Sequence, residues 1–469
     1  AGQAGRRMQS TISGRGFLFN VNLVFLSQVA IYGLAFILRI ILARGLGDDG
    51  LGTYSLFFVA VLVAGGIANL GIGLGNVYFL NKGTYSYRTL LAGSLSTFGV
   101  MSIVGWVVIG AWGLASGADL FVEDEAYWLY GAALPAIIGY TIFTSFLHGS
   151  SRFVALSLVA ITQGVFAVIG TGVLLAVDDL DVGSAIAVWS VSFLVADVVT
   201  LALILPGHLD IGRVIRPPLD VLWEQIKYGA QGQAANMAAL FNYRFDLFLV
   251  AAFVSTAGVG QYAVAVGLAE SVWWISSAIS MVLLPRLTAM DKADADEVTP
   301  IISRNTLLIS VLAAIGLIAV SPVAIQMLFG SDFYPESFLP LVLLMPGIIA
   351  ASATRVLGSY LFSRGKIIFT TFATFIALGV TIGADLALIP LWGIEGAAVA
   401  SSIAYTVALV ATVYWYRRES GRGIAEALLW RPSDIGYYTA ALKRALGRRT
   451  EDEASGAETL AQDEPNEDG

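Results

Sequence analysis

The chain has 469 residues, 57% hydrophobic and only 13% charged, with a mean hydropathy of +0.77, which describes a protein embedded in lipid and excludes an ordinary soluble enzyme. Without any cysteine and with only two histidines, it excludes disulfides, iron–sulfur clusters and thiolate zinc sites, while 50 glycines suit close helix packing in a bilayer. The net charge of −8 belongs to the chain's end, because the residues from Thr450 on hold eight acids and no base, leaving 26 acids against 26 bases elsewhere.

Residues 1–16 are polar, with Arg6, Arg7 and Arg15 and no short apolar core before a cleavage site, so they read as a cytoplasmic tail. Twelve apolar spans follow, at roughly 17–43, 51–80, 89–113, 126–147, 153–177, 183–205, 228–254, 260–284, 301–321, 337–362, 367–390 and 396–416. The spacing predicts a first lobe over 17–207, a cytoplasmic linker over 208–227 and a second lobe over 228–417. After it comes a basic segment, 418–449, in which Ile435, Tyr438, Leu442 and Leu446 share one helical face. That face fits either an interfacial helix on the anionic inner leaflet or a helix packed on a partner. The acidic end, 450–469, reads as disordered.

Charge in the loops gives the orientation. Lys82, Arg88, Arg152, Arg213, Arg216, Lys227, Arg286, Lys292, Arg304, Arg364 and Lys366 fall on one side. Asp119, Glu123, Asp124, Glu125, Asp178, Asp179, Asp181, Asp332 and Glu336 fall on the other, where Arg44 is the only base. The alternation predicts a plasma-membrane protein with both termini in the cytoplasm. An arginine-to-lysine ratio of 21 to 5 and a pI near 4.9 suit a salt-loving, haloarchaeal type of source, where carboxylates keep exposed surface hydrated.

The two halves repeat. Gly-Leu-Gly-Thr-Tyr-Ser-Leu at 50–56 answers Gly-Val-Gly-Gln-Tyr-Ala-Val at 258–264, an offset of 208, and Gly-Ser-Ala-Ile-Ala at 183–187 answers Gly-Ala-Ala-Val-Ala at 396–400, an offset of 213. Six spans per repeat keep both halves in one orientation, related by an axis along the membrane normal, and parallel repeats place a site at their interface.

The seventh span breaks the apolar rule. Gln231, Ala235, Ala238, Asn242 and Asp246 form one stripe at helical spacing, and Gln233, Met237, Leu240 and Arg244 form another nearly opposite. A charged residue at helix centre costs roughly 2.5–3.5 kcal/mol on insertion scales, so Arg244 and Asp246 must face protein or water. The helix should therefore be central, with one side on its own bundle and the other on a wet cavity. Further ionisable groups inside spans are Arg39, in line with Gln28 and Tyr32, and Asp197, Glu270, Arg355 and Asp385. At about 1.5 Å rise per residue, Glu270 lies at the depth of Arg244, so structural pairing and a transport role both stand for that arginine. Arg39 and Arg355 have no partner nearby in sequence. Asp197 and Asp385 lie toward span ends, where solvent is close, and read as structural. Asp179 with Asp181, and Asp294 with Asp296, spell Asp-x-Asp in short acidic loops and read as solvated surface. No phosphate-binding Gly-x-x-x-x-Gly-Lys-Ser/Thr loop is present, so energy must come from an ion gradient, the membrane potential or the substrate gradient.

Several segments together resemble one family: Arg-Ile-Ile-Leu-Ala-Arg-Gly-Leu-Gly at 39–47, Tyr-Arg-Phe-Asp at 243–246, Gly-Val-Gly-Gln-Tyr at 258–262, Leu-Leu-Pro-Arg-Leu at 283–287, Phe-Gly-Ser-Asp-Phe-Tyr at 329–334 and Ile-Pro-Leu-Trp-Gly-Ile-Glu-Gly-Ala-Ala-Val-Ala at 389–400. Across residues 12–417 the chain resembles the oligosaccharide flippases of the multidrug/oligosaccharidyl-lipid/polysaccharide exporter superfamily. The resemblance implies an all-α, MATE-like membrane protein of two six-helix lobes around a central cavity. It further implies translocation of a glycan linked to an isoprenoid phosphate or pyrophosphate, from the inner to the outer leaflet, for surface polysaccharide or glycoprotein assembly. Its partners would be the lipid-linked glycan, membrane lipids and glycan-assembly proteins, with no nucleic acid. Arginine suits phosphate through its forked donors, and amides take sugar hydroxyls. Arg39, Arg244 and Arg355, helped by Gln28, Gln231 and Asn242, are thus expected to attract the phosphate. Asp246 and Glu270 would balance the cavity's charge or bind a coupling Na+ or H+. A drug or metabolite antiporter of the same superfamily is the alternative, and it predicts a carboxylate-dominated first lobe, whose spans hold only Asp197 as an acid. A membrane glycan polymerase or ligase would need a larger external domain than these loops supply.

Overall fold

Two glycines, Gly47 and Gly393, leave helical geometry and set the kink between the two spans of a pair. The computed structural model describes residues 14–116 and 127–434. The acidic loop holding Asp119, Glu123, Asp124 and Glu125, all of 435–446 and the tail from Thr450 lie outside the described residues. Helix α1 (Gly14–Ala68) carries the first span and most of the second, and turns at Gly47, whose φ of 67° only glycine adopts without strain. The second span then breaks. Leu70 and Gly71 take positive φ, and α2 (Ile72–Lys82) completes it. There follow α3 (Tyr87–Ser116), α4 (Tyr127–Gly149), α5 (Phe153–Ala176) and α6 (Val182–Ile204), which close the first lobe. The linker holds the short α7 (Ile211–Ile215) and the first turns of α8 (Leu219–Phe253). The second lobe adds α9 (Thr256–Ala289), α10 (Lys292–Ala324), α11 (Phe338–Ser363) and α12 (Ile367–Ser420), which turns at Gly393.

Nine described helices are long and apolar enough to cross a membrane. Of these, α1 and α12 each carry two of the twelve predicted spans, and the more polar α8 carries the seventh, so every predicted span is helical. No strand occurs among the described residues. In the first lobe α4 packs on α6 and α2, and Trp189 of α6 lies edge-on to Phe57 and Phe58 of α1. In the second lobe α11 packs along α12 and α9. The lobes meet through α1 against α9 and α8 against α2.

The repeat is visible at one seam between the lobes, the one expected from loop charge to face outward. A Cβ on Gly52 would overlap the carbonyl oxygen of Thr256, and one on Gly260 would overlap that of Asp48. Both pairs, 52 with 260 and 48 with 256, stand at the 208-residue offset, so the repeat axis runs through this crossing. The Oδ2 atom of Asp48 accepts from Gln261 at 2.8 Å, Thr256 donates to Asp49, and Arg44 donates to the carbonyl of Leu328 at 2.9 Å. The lobes are sealed on that side.

At the other end α8, about 50 Å long at 1.5 Å per residue, outruns the roughly 30 Å hydrocarbon layer. Its first turns pack on α2 and the turn that follows: Tyr228 stacks on Tyr78 with ring centroids 3.8 Å apart, Gln225 donates to Asn76 at 2.7 Å, and Tyr85 donates to Glu224 at 2.6 Å. The residues read as a linker thus include a helical clasp on the first lobe. Of the segment 418–449, the described part packs on the end of the second lobe opposite the glycine seam. Ala427 of α13 (Ile424–Leu428) is buried among Leu287, Tyr360 and Tyr416. Asp434 accepts from Arg304 Nε at 2.5 Å, and the guanidinium holds its carboxyl below the usual carboxylate range. Of the Asp-x-Asp pairs, Asp181 caps the N-terminus of α6 and Asp296 accepts from Tyr360, a structural use for one acid of each.

Candidate functional site

Helix α8 divides its two stripes between two environments. The buried stripe faces the second lobe: Asn242 accepts from Thr381 of α12 at 2.6 Å, and Asp246 accepts from Tyr262 of α9 at 2.7 Å and lies 3.4 Å from Ser401 of α12. The opposite stripe, Gln233, Met237 and Leu240, lines a cavity of about 360 Å³ against α1, α2 and α4. Arg244 ends that stripe, and there α8 meets α9 and α1.

Three guanidinium groups converge at this point. Arg244 forms a fork with Glu270, Nη1 to Oε1 at 2.8 Å and Nη2 to Oε2 at 3.1 Å, the bidentate pairing that fixes both groups. Arg355 donates from Nη1 to Ser277 at 2.9 Å and lies over the ring of Trp273, 4.8 Å from its centroid, while its buried Nε has no hydrogen-bond partner. Arg39 reaches across from the first lobe. Its guanidinium rests on Gly267 of α9, where a Cβ would overlap Nη1, and it feels both Glu270 and Arg244. Among the described residues no hydrogen bond or ion pair is recorded for Arg39. Three cations therefore converge on the Glu270 carboxylate, with Asp246 also within electrostatic reach of Arg244, at a place assembled from both lobes that keeps an excess of positive charge.

The expected site residues separate accordingly. Arg39, Arg244, Glu270 and Arg355 come together. Gln28 is half-buried one turn before Tyr32, which stacks on Trp274 of α9 at 4.9 Å. Gln231 is exposed on the far side of α8, away from the cluster. Asn242 gives its amide oxygen to Thr381 of α12 and borders, with Arg355, a cavity of about 120 Å³. Asp246 is also turned into that lobe, beside a carboxylate read from sequence as solvent-exposed. Asp385 is fully buried, neither of its oxygens has a hydrogen-bond partner, and it stands close enough to Asp246 for the two charges to repel. Next to them a cavity of about 10 Å³, bordered by Asp246, Tyr262, Glu270 and Ser401, is the size of one water or small ion. Asp197 is likewise buried, with Oδ1 unpartnered and Oδ2 where a Cβ of Gly139 would sit. Both corrections share one cause. Position along a span gives depth, whereas exposure depends on which helices cover it.

Sequence reasoning passed over Gly267, Trp273 and Ser277. With Glu270 they lie at spacings of three, four and seven along α9, a helical stripe that could have disclosed them.

The sequence model of the family described as lipid II flippase MurJ matches residues 132–433. The chain belongs to the MurJ lipid II flippase family. Among solved structures it is similar to a lipid II flippase MurJ in an inward closed conformation, with a TM-score of 0.67 and 13% identity over 85% of this chain and 87% of that one. It is also similar to an inward-facing multidrug resistance MATE family transporter of the MOP superfamily, with a TM-score of 0.64 and 14% identity over 83% of this chain and 94% of that one. A Vibrio cholerae MATE transporter, VcmN, gives 0.58 and 14% over 87% of this chain and 97% of that one. No curated protein matches the sequence. These likenesses show the MATE-like fold, and the MurJ family is one of membrane flippases, so this chain is a multi-pass membrane transporter. The superfamily is the one the sequence resembles, reached through its MurJ branch.

Proposed function

We propose that this protein flips a lipid-linked saccharide, carried on an isoprenoid phosphate or pyrophosphate, from the cytoplasmic to the external leaflet of the plasma membrane, for surface polysaccharide or glycoprotein assembly. One observation carries the reading: three guanidinium groups contributed by both lobes converge on the Glu270 carboxylate where α1, α8, α9 and α11 meet. A cation excess inside lipid is expensive unless an anion visits it, and the forked donors of arginine match phosphate oxygens. Arg39 ties the phosphate to the first lobe, while Arg244 and Arg355 tie it to the second. Rocking of the lobes about this point then carries the headgroup across.

The pair Asp246 and Asp385 supplies the coupling. Asp385, buried beside Asp246 with neither oxygen hydrogen-bonded, is costly as a bare anion, so it takes a proton or a sodium ion. The same pair favours a second reading, a Na+- or H+-coupled antiporter of a drug or metabolite. Vesicles holding the purified full chain and a fluorescent polyprenyl-pyrophosphate disaccharide separate the two. The flippase reading expects the lipid to cross, and Arg39→Gln and Arg355→Gln each to slow it at least about tenfold, since losing a charge-assisted bond costs about 1.5–3 kcal/mol. Undiminished crossing in both variants removes these arginines from the site. Failure of the wild-type chain to move the lipid while it exchanges a soluble cation drug favours the antiporter.

A further inference from the structure

The chain between the lobes carries an apolar face that no described residue covers. From the end of α6 to the first turns of α8, Leu209, Ile211, Ile215, Leu219 and Trp223 are all exposed, Ile215 and Leu219 to 72% and Trp223 to 64%. Apart from Leu209 they recur every four residues, through α7 and on into α8. So many large apolar side chains on one short linker exceed the single, scattered exposure usual at a protein surface.

Contacts with the first lobe fix the level of this segment. Arg88 donates from Nη2 to the carbonyl of Gly207 at 2.7 Å, Arg213 donates from Nη1 to Thr89 at 3.1 Å, and the ring of His208 lies 4.5 Å from that of Tyr87, so residues 207–213 run beside the first turn of α3. Further on, α8 runs antiparallel to α2: a Cβ on Gly229 would meet the carbonyl of Gly71, and one on Gly75 would meet that of Gln225. Both pairs stand in one register. Carried outward, it sets Leu219 opposite Asn81, one residue short of the end of α2 at Lys82. Linker and helix ends therefore share a level, at the rim where the first lobe leaves the hydrocarbon, opposite the glycine seam. Within α7, Arg213 is two residues from both Ile211 and Ile215, on the other side of the helix. Because Arg213 turns to α3, the two isoleucines face away from it.

This rim is basic. Lys82, Arg88, Arg152, Arg213, Arg216 and Lys227 stand against Asp210, Asp220 and Glu224, and two of the acids are engaged, Asp210 by Arg213 at 3.2 Å and Glu224 by the hydroxyl of Tyr85 at 2.6 Å. Arg216 and Lys227 are exposed and make no hydrogen bond or ion pair among the described residues. We propose that this face, α7 with the first turns of α8, is a binding surface for anionic lipid headgroups of the adjoining leaflet, which loop charge predicts to be the inner one. The aliphatic side chains and Trp223 seat at the boundary of the acyl chains, and Arg216 and Lys227 meet the net negative charge of the headgroups. The helical clasp that joins the lobes is thereby tied to the lipid beside it. The inference goes beyond the flippase reading and stands on the fold alone.

The test reads one label on the full chain in nanodiscs. Since the chain has no native cysteine, Ile215→Cys carries a single nitrobenzoxadiazole fluorophore. The nanodiscs are phosphatidylcholine with a small share of nitroxide-bearing lipid, either phosphatidylglycerol or phosphatidylcholine, with the nitroxide near the headgroup. The anionic quencher is expected to act at least about threefold more strongly than the zwitterionic one, because one base at an anionic surface is worth a roughly fivefold preference. Arg216→Gln combined with Lys227→Gln should bring the ratio close to one, and so should strong salt. The same fluorophore at Leu312→Cys, exposed on α10 within a span, is the reference and should quench equally with both lipids. Leu219→Cys, labelled in the same way, repeats the measurement in case the first label disturbs α7. Equal quenching by the two lipids at the linker, or a ratio that the double variant leaves unmoved, overturns the inference. So does quenching by aqueous iodide alone, which places the face in water, and so does a label that neither lipid nor iodide reaches, which is covered by protein. Lipid crossing enters no part of the readout, so a failure of the flippase reading leaves this inference untouched.

Discussion

The two lobes descend from one repeated six-span unit, yet the faces they turn toward each other differ in kind. The second lobe presents Arg244, Glu270 and Arg355, tied together through α9, with the amides Gln233 and Asn236 of α8, whereas the first presents a single arginine, Arg39, and otherwise the amide of Asn69 and the hydroxyls of Thr144 and Ser145 near a broken helix. At the repeat offset of 208, Leu62 stands in the place of Glu270 and Phe36 in that of Arg244, while Leu247 answers Arg39. Duplication supplied the scaffold, and each copy then kept a different polar chemistry. A substrate with a charged end and a neutral end needs such a division, because one uniform cavity would desolvate one of the two ends without replacing its contacts.

The sharpest way to break this contrast is to attack the place where the lobes remain alike. Gly52→Leu or Gly260→Leu puts a side chain against a facing backbone carbonyl, so the glycine seam, expected to face outward, cannot close. Transport should be abolished, and an Asp49→Cys probe should be labelled from outside by an impermeant maleimide, with no native cysteine to confuse the reading. Unlabelled probe in the leucine variants would show that the seam tolerates the bulk.

Next in size is Glu270→Gln. Removing one partner of a largely buried ion pair costs about 3–5 kcal/mol, and here it takes away the carboxylate that Arg39, Arg244 and Arg355 share. A drop of several degrees in Tm is expected, with much of it recovered when Arg244→Gln is added. An unchanged Tm would mean that solvent already compensates the cluster.

Gly267→Ala should act more quietly. Its methyl group takes the position of Arg39 Nη1, so lipid crossing should fall to the level of Arg39→Gln while Tm moves little. Wild-type crossing in Gly267→Ala would place the working position of Arg39 elsewhere.

The smallest effect concerns the end opposite the glycine seam, away from both faces. Arg304 holds the Asp434 carboxyl below its ordinary pKa of 3.8. A depressed folded-state value contributes stability that is present above the unfolded value and lost as pH falls through the folded one. Between pH 7 and 5 the wild type should hold its Tm against Asp434→Asn by a constant margin, which closes only in stronger acid. A margin that varies across pH 5–7 would assign the contact to another group.

Much of the architecture is legible in the sequence because lipid imposes so strong a constraint: each of the twelve spans is helical, and the polar stripes of α8 face a bundle and a cavity. The pairing of Arg244 with Glu270 follows from rise per residue alone, since the two helices are joined by a short turn. What escapes such reasoning depends on helices distant in sequence. Arg39 finds Gly267 only once α1 crosses α9, and Asp385 loses its solvent only when its neighbours cover it. The break at Leu70 and Gly71 was hidden for another reason. An apolar run reads as one span whether or not its backbone is continuous, and hydropathy does not register a change of φ.

The glycine crossing between the lobes has a kinetic meaning. Where main chain lies on main chain, few rotamers are frozen on contact and few are freed on parting, so separation of the halves carries little side-chain entropy in either direction. The barrier then rests on the few polar pins at the rim, Asp48 with Gln261 and Asp49 with Thr256. Such a doorway opens by exchanging a handful of hydrogen bonds for water, which lets a thick, greasy machine cycle without ever melting a core.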